Sequence, residues 1–299
     1  MEINLLGVPL FYGCDNPGVE NGPNTLRENN LLNIFEANNH KIYDLGNLYV
    51  QSIDVNEKYK DNDKLKYLSP IIEVNNNLAH WVYCSLKSNN FPLIIGGDHS
   101  LGLGTLAGSS KYFGDDFGVV WVDAHGDINT LESSPSGNIH GMPLAASMGI
   151  GHDSLTNVYF KGRKVNPNKV FILCARDLDE GELKLIKELG LNVWTSSTIK
   201  ELGIEKVVDM LLNTINKLNI NNIHLSFDID CTDPSLIPGT GTPVEEGMDL
   251  REAKYIINKL FNTKKVKAMD FVEFNPEIEY DTTLKNCLEL LKCISECIN

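Results

Sequence analysis

The sequence predicts an α/β fold: one domain over residues 1–299, built on a mostly parallel β-sheet with helices on both faces. Three observations lead there. Short β-type runs alternate with helical segments along the chain, an order that calls for right-handed crossovers between parallel strands. Several of the runs are apolar throughout, as strands covered on both faces must be. No Pro/Ser-rich linker, internal repeat or shift in composition divides the 299 residues, and the 42% apolar content suffices for one sizeable core.

INLLGVPL (3–10) reads as the first strand, PNTLRENNLLNIFEAN (23–38) as a helix and KIYDLG (41–46) as the next strand. Residues 51–63, rich in asparagine and charge, read as a surface excursion. A helix over about 66–89 leads to the apolar run PLIIGG, and a short helix to FGVVWVDAHGD (117–127). A long Ser/Gly/Asn loop and a further helix precede the strand KVFILCARD (169–177), then the helix ELKLIKELG and the strand LNVWT. A helix near 205–218, the strand NIHLSFDID (222–230), a helix near 249–261 and the strand VKAMDFVEF (266–274) continue the alternation. In the last segment Leu284, Leu288, Leu291, Ile294 and Ile298 recur at helical spacing.

Composition excludes several functions. A net charge of −14 argues against nucleic acid, whose phosphates need a basic stripe. No apolar run reaches the roughly 18 residues of a membrane span. The N-terminus lacks a basic start and a small-residue cleavage pattern, so a cytoplasmic protein is expected. The seven cysteines are scattered without a C-x-x-C pair, which indicates neither a disulfide framework nor a structural zinc site.

The unusual polar residues sit where parallel sheets bind ligands, at the carboxyl ends of strands. PLIIGGDHS ends in Asp98 and His99, VVWVDAHGD in Asp123, His125 and Asp127, HLSFDID in Asp228 and Asp230, and MDFVEF in Glu273. Residues two apart on an extended segment point the same way, so Asp123, His125 and Asp127 are expected to converge, as are Asp228 and Asp230. Carboxylates with a few imidazoles suit a borderline-hard divalent ion such as manganese. Four aspartates in one site carry about −4 and would repel or take up protons unless two divalent ions balanced them.

These segments also carry a resemblance. GGDHS (96–100), DAHGD (123–127), GNIHGMP (137–143), SFDIDCTDP (226–234) with PGTGTP following, and DFVEFNP (270–276) resemble, in order, the motifs of the ureohydrolases, and among them of the arginases. GVENGP (18–23) fits as well. The resemblance implies a three-layer α/β/α domain, two Mn2+ per subunit, a homotrimer or homohexamer, and hydrolysis of L-arginine to L-ornithine and urea by a metal-bridging hydroxide. It implies that His99, Asp123, Asp127 and Asp228 hold one ion, and His125, Asp123, Asp228 and Asp230 the other. His140 resembles the family's acid/base histidine, Glu273 the carboxylate that receives the guanidinium, and Thr242 a residue near it.

The substrate end is read from the loop INTLESSPSGNI (128–139), rich in donors suited to a carboxylate directly or through water. By resemblance Asn129 and Ser136 fit the carboxylate positions, Ser134 replaces a more usual threonine, and Asn138 follows. Asp179 and Glu182 resemble the groups that hold the α-amino group; a plain helix cap is the competing reading of Asp179. Two positions depart from the family's pattern: Pro135 interrupts the loop, and Glu246 stands where arginases commonly have glycine. A sister enzyme acting on agmatine, guanidinobutyrate or formimidoylglutamate stays open, as do a dinuclear phosphoesterase, which would need Arg or Lys near the metals, and a metal-dependent scaffold.

Overall fold

The computed structural model describes residues 1–298. The strands are β1 (Glu2–Val8), β2 (Lys41–Asn47), β3 (Phe91–Gly96), β4 (Gly118–Val122), β5 (Val170–Leu173), β6 (Asn192–Trp194), β7 (Ile223–Asp228) and β8 (Val266–Val272). They form one eight-stranded sheet in the order β2-β1-β3-β8-β7-β4-β5-β6, and every pairing is parallel. The longer helices between them are α1 (Gly22–Glu28), α2 (Leu31–Glu36), α3 (Leu68–Lys87), α4 (Gly102–Phe113), α5 (Pro143–Ser147), α6 (Asp153–Thr156), α7 (Glu180–Leu189), α8 (Ser196–Leu202), α9 (Ile204–Lys217), α10 (Leu250–Asn262) and α11 (Asp281–Cys297).

Strand alternation explains the two layers of helices. Ile3 and Leu5, Leu93 and Ile95, Val120 and Val122, and Phe171 and Leu173 face one core with α1, α2, α9, α10 and α11. Leu6, Val8 and Ile94 face the opposite side under α3, while Val119, Trp121 and Ile172 pack there with Leu106 and Leu144. Along α11, Leu284, Leu291, Ile294 and Ile298 are buried as their spacing predicts. Each such side chain removed from water contributes roughly 2 kcal/mol.

Two expectations need correction. The helix predicted over 23–38 is two, because Asn30 takes a left-handed conformation (φ 71°) between α1 and α2. Asparagine tolerates that conformation better than most residues, and the Asn29–Asn30 pair breaks the ladder there. The segment before residue 205 holds the extra helix α8, capped by the Thr195 hydroxyl, which accepts from the Thr198 N–H at 3.2 Å. No helix among the described residues is long and apolar enough to cross a membrane.

Candidate metal centre and substrate pocket

The site gathers at the carboxyl ends of five neighbouring strands, β3, β8, β7, β4 and β5. Capping turns, not strand alternation, aim the side chains. After β3, Asp98 accepts from the Ser100 N–H (2.9 Å) and the Gly13 N–H (2.8 Å), and the turn it caps presents His99. Gly97 allows the chain to pass Leu10, whose carbonyl oxygen would lie 1.9 Å from any β-carbon. The expected convergence of Asp123, His125 and Asp127 on a pleated strand is corrected: β4 stops at Val122, Asp123 Oδ1 accepts from the His125 N–H (2.6 Å), and Asp127 is left-handed (φ 51°). Asp228 and Asp230 likewise meet through a single helical turn at 229–231, in which Asp228 Oδ1 accepts from the Asp230 N–H at 2.8 Å.

The resulting cluster is tight. His99 Nδ1 lies 3.0 Å from Asp123 Oδ2, 3.1 Å from Asp127 Oδ2 and 3.1 Å from Asp228 Oδ2. His125 Nδ1 lies 3.3 Å from Asp123 Oδ1 and 3.1 Å from Asp230 Oδ2. Asp123 thus turns one oxygen toward each histidine, dividing the donors into a His99/Asp123/Asp127 group and an Asp123/His125/Asp230 group. Asp228 joins the first through Oδ2; its other oxygen is the one engaged by Asp230.

The residues present fit divalent cations. His99 Nδ1 is buried without a hydrogen-bond partner, an orphan that a cation would satisfy. Burial opposes charge on both histidines, but the carboxylates around them outweigh it and lift both imidazoles well above their ordinary range. Asp127 is pushed up to about 6 by burial and the neighbouring Asp123, and Asp228 well above the carboxylate range by burial and Asp230. Carboxylates forced toward protonation beside imidazoles forced toward charge mark a donor set that lacks positive charge of its own.

Behind His99 runs a buried chain that sequence reasoning missed. His99 Nε2 lies 2.8 Å from Ser226 Oγ, and Ser226 donates to Asp270. Asp270 also accepts from Thr105 Oγ1 (2.6 Å) and meets His224 Nε2 at 2.8 Å. Although wholly buried, Asp270 is held below the usual carboxylate range because His224 and its other partners outweigh burial. The signal was present: Ser226 and Asp270 are polar residues amid apolar runs, and they are register partners across β7 and β8.

Above the cluster lies a pocket lined by His99, His125, Asp127, Asn129, Ser134, Ser136, Asn138, His140, Asp179, Glu182, Asp228, Thr242 and Glu273. Pro135, Gly141 and Asp177 line it too, while Asp123 and Asp230 lie beneath, at most 1% exposed. Glu273, left-handed at φ 70°, accepts from the His99 N–H (2.8 Å) and sits 3.4 Å from His140 Nδ1. His140 is raised above its ordinary range, Glu273 and Asp127 outweighing burial. Thr242 donates to Asp230 Oδ2 at 3.4 Å.

The rim is more committed than the sequence suggested. Asn129 donates to Asp179 Oδ2 (2.7 Å) and accepts from Ser133 (2.8 Å). Asn138, expected to offer its amide to a carboxylate, donates instead to the Cys14 carbonyl (2.9 Å) and accepts from Lys66 (2.7 Å). Glu182 accepts from the Asp179 N–H (3.0 Å) and the Ile128 N–H (3.1 Å), so Asp179 opens α7 and faces the pocket at once. Glu182 is pushed up to about 7 by burial. Arg176, the cation nearest the motifs, points elsewhere and clamps the carbonyls of Asp230 (2.6 Å), Val244 (2.8 Å) and Glu245 (3.0 Å). No Lys or Arg lines this pocket among the described residues, which removes the phosphate ligation a phosphoesterase would need.

An all-parallel sheet with histidines and carboxylates clustered at its carboxyl edge suits a divalent cation acting on a bound substrate. The chain belongs to the arginase family, whose sequence model matches residues 1–295, and it is therefore an amidinohydrolase. It is 41% identical over 293 residues to the arginase of Bacillus subtilis, covering 98% of this chain and 97% of that one. The crystal structure of Entamoeba histolytica arginase in complex with L-ornithine superposes with a TM-score of 0.89 at 34% identity, covering 98% of both chains. A formimidoylglutamase from Bacillus subtilis shares the fold (TM-score 0.80, 99% of this chain and 86% of that one) at only 20% identity.

Proposed function

We propose that this chain hydrolyses L-arginine to L-ornithine and urea in the cytoplasm, with two manganese ions per subunit. One observation carries the proposal: Asp123 divides its two oxygens between two histidine–carboxylate groups, directly beneath an acidic pocket. The donors His99, Asp127 and Asp228 would hold one ion and His125, Asp228 and Asp230 the other, with Asp123 serving both. When bound, the ions would offset the aspartates and make a hydrolytic water acidic enough to act as a nucleophile near neutral pH.

The chain's own residues do the rest. The Glu273 carboxylate, at the pocket floor, accepts the N–H groups of a guanidinium in a charge-assisted pair. A guanidinium is a poor electrophile, and its C–N bond breaks to yield a neutral amine only if a proton reaches the departing nitrogen. His140, raised by Glu273 and Asp127 and facing the pocket, is the residue placed to hold and deliver it. Asn129, Ser134, Ser136 and Asn138 line the end suited to the α-carboxylate, Asp179 and Glu182 the wall suited to the α-amino group, and Thr242 the guanidinium end. The 34%-identical relative solved with L-ornithine supports an amino-acid product at such a pocket. A homotrimer or homohexamer belongs to the same proposal; Arg251, its side chain 86% exposed at the start of α10 and paired, among the described residues, only with the exposed Asp249 at 4.0 Å, would be open to a second subunit.

The engaged amides of Asn129 and Asn138 favour one second reading, a sister enzyme acting on agmatine, which has no carboxylate and would ask less of the rim. Urea release from L-arginine and agmatine, with manganese and with a chelator, decides between them. Metal-dependent urea from arginine in clear preference is expected. Preference for agmatine would overturn the substrate, and no urea from either would overturn the reaction.

A further inference from the structure

The asparagine-rich excursion at residues 51–63, followed on to residue 67, is not an idle surface loop. It returns along the substrate loop, where the Lys66 N–H donates to the Gly137 carbonyl at 3.2 Å. Gly137 (φ 70°) admits this approach, since a β-carbon there would lie 2.0 Å from the Lys64 carbonyl oxygen. The excursion thereby sets two ammonium groups on one carboxylate: Lys58 lies 2.7 Å and Lys66 3.1 Å from the same oxygen of Asp15. Burial works to raise Asp15, but the two lysines outweigh it and hold the group below its usual range. All three side chains are at most 22% exposed, so water screens them only in part.

Two positive charges on one negative leave a surplus of about +1, and its position matters. Lys66 also donates to Asn138 Oδ1 at 2.7 Å, and Asn138 forms the pocket wall. The charged side chains that line the pocket directly are acidic: Asp127, Asp177, Asp179, Glu182, Asp228 and Glu273, beside the histidines. Acids thus line the floor and, through Asp177, Asp179 and Glu182, part of the rim, while behind the loop at 134–138 stands a cation instead.

We propose that Lys66, held behind Asn138 by Asp15, determines specificity by selecting a substrate that carries a carboxylate at the end remote from its guanidinium. The inference rests on the arginine hydrolysis proposed above. Lys66 acts through its field and by holding Asn138, together with the Cys14 carbonyl, in the pocket wall, so it is a positioning residue. Agmatine, with the same guanidinium and no carboxylate, gains nothing from it. Arginine does, because a fixed cation near an anionic group in a partly desolvated site is only moderately screened.

The test uses the full-length, manganese-loaded protein, with L-arginine as substrate and agmatine as competing ligand. Lys66→Met is expected to raise KM for arginine about tenfold, with kcat changed less than twofold and agmatine's inhibition constant less than twofold. Lys66→Arg, which keeps the charge, is expected to restore most of the preference. Salt is expected to erode the arginine-over-agmatine preference of the wild type and to leave that of Lys66→Met nearly flat. Equal weakening of both ligands, as from a structural defect, or no change in either, would overturn the proposal. A wild type that does not prefer arginine overturns the substrate reading together with this one; a wild-type preference that survives Lys66→Met overturns this one alone.

Discussion

The floor of the pocket and its rim are built from the same residue types by different means. At the floor, His99, Asp123, Asp228 and Asp230 are at most 2% exposed, each fixed by a capping turn or by the Ser226–Asp270 chain behind it. At the rim, Ser134, Pro135 and Ser136 belong to a loop more open to solvent, whose amides bond mainly to one another and to neighbouring loops. The floor accumulates negative charge in a buried place and needs cations to do so. The rim, held by fewer buried contacts, leaves more room for substitution at Ser134 and Pro135. Chemistry is placed where the fold allows one arrangement, and choice of substrate where it allows several.

The largest effect separating the two regions is expected at Asp123. Asp123→Asn leaves one shared ligand without its charge and should reduce kcat by at least a thousandfold, with loss of bound manganese measured by elemental analysis. Retained metal with near-normal kcat would show that the floor is not organised around that carboxylate. Next comes the support behind His99. Ser226→Ala should weaken metal binding by about 10- to 100-fold, read by competition with a chelator, while KM at saturating manganese stays close to wild type.

A pH comparison sharpens the same contrast. Asp127 titrates near 6 in the metal-free fold, above its unfolded range, so between about pH 4 and 6 the folded chain holds a proton that the unfolded chain has lost. Stability from that proton is present at low pH and lost as pH rises through 6. Bound metal displaces the proton, so chelation should lower Tm more at pH 8 than at pH 5.5. An equal drop at both pH values would contradict the assignment.

Effects at the rim are expected to be smaller. Asn129→Ala should raise KM for arginine by roughly tenfold, with a lesser change in kcat, as loss of a ground-state contact does. The smallest is at Glu246, a non-glycine residue held left-handed at φ 69°. An exposed ion pair with Lys200 at 3.2 Å offsets little of that strain. Glu246→Gly should therefore stabilise the protein by about 1 kcal/mol in urea denaturation, without altering KM.

The contrast also explains what the sequence could disclose. The central strands were legible because burial on both faces leaves apolar runs that little else explains, and the acids that end them stood out against those runs, whereas the edge strand β2, mostly exposed, was read from the alternation alone. The means of convergence was not legible: Asp127 and Glu273 have positive φ, and pleat geometry does not anticipate a turn that begins where the strand stops. Asp270 lay hidden because its partners come from two other segments, Ser226 and His224 from β7 and Thr105 from α4, which only the folded sheet brings to it. Asn138 could be read as a donor from its neighbours in sequence, but not as a residue already held by Lys66 and Cys14 from 72 and 124 positions away.

The most direct test of the central claim is to titrate the chelated protein with manganese while following urea release from L-arginine. Two ions per chain are expected, with turnover rising as the pair fills and Asp123→Asn abolishing both. Urea release that persists with the chelator, or that saturates at one ion per chain, would contradict a paired metal centre organised by Asp123.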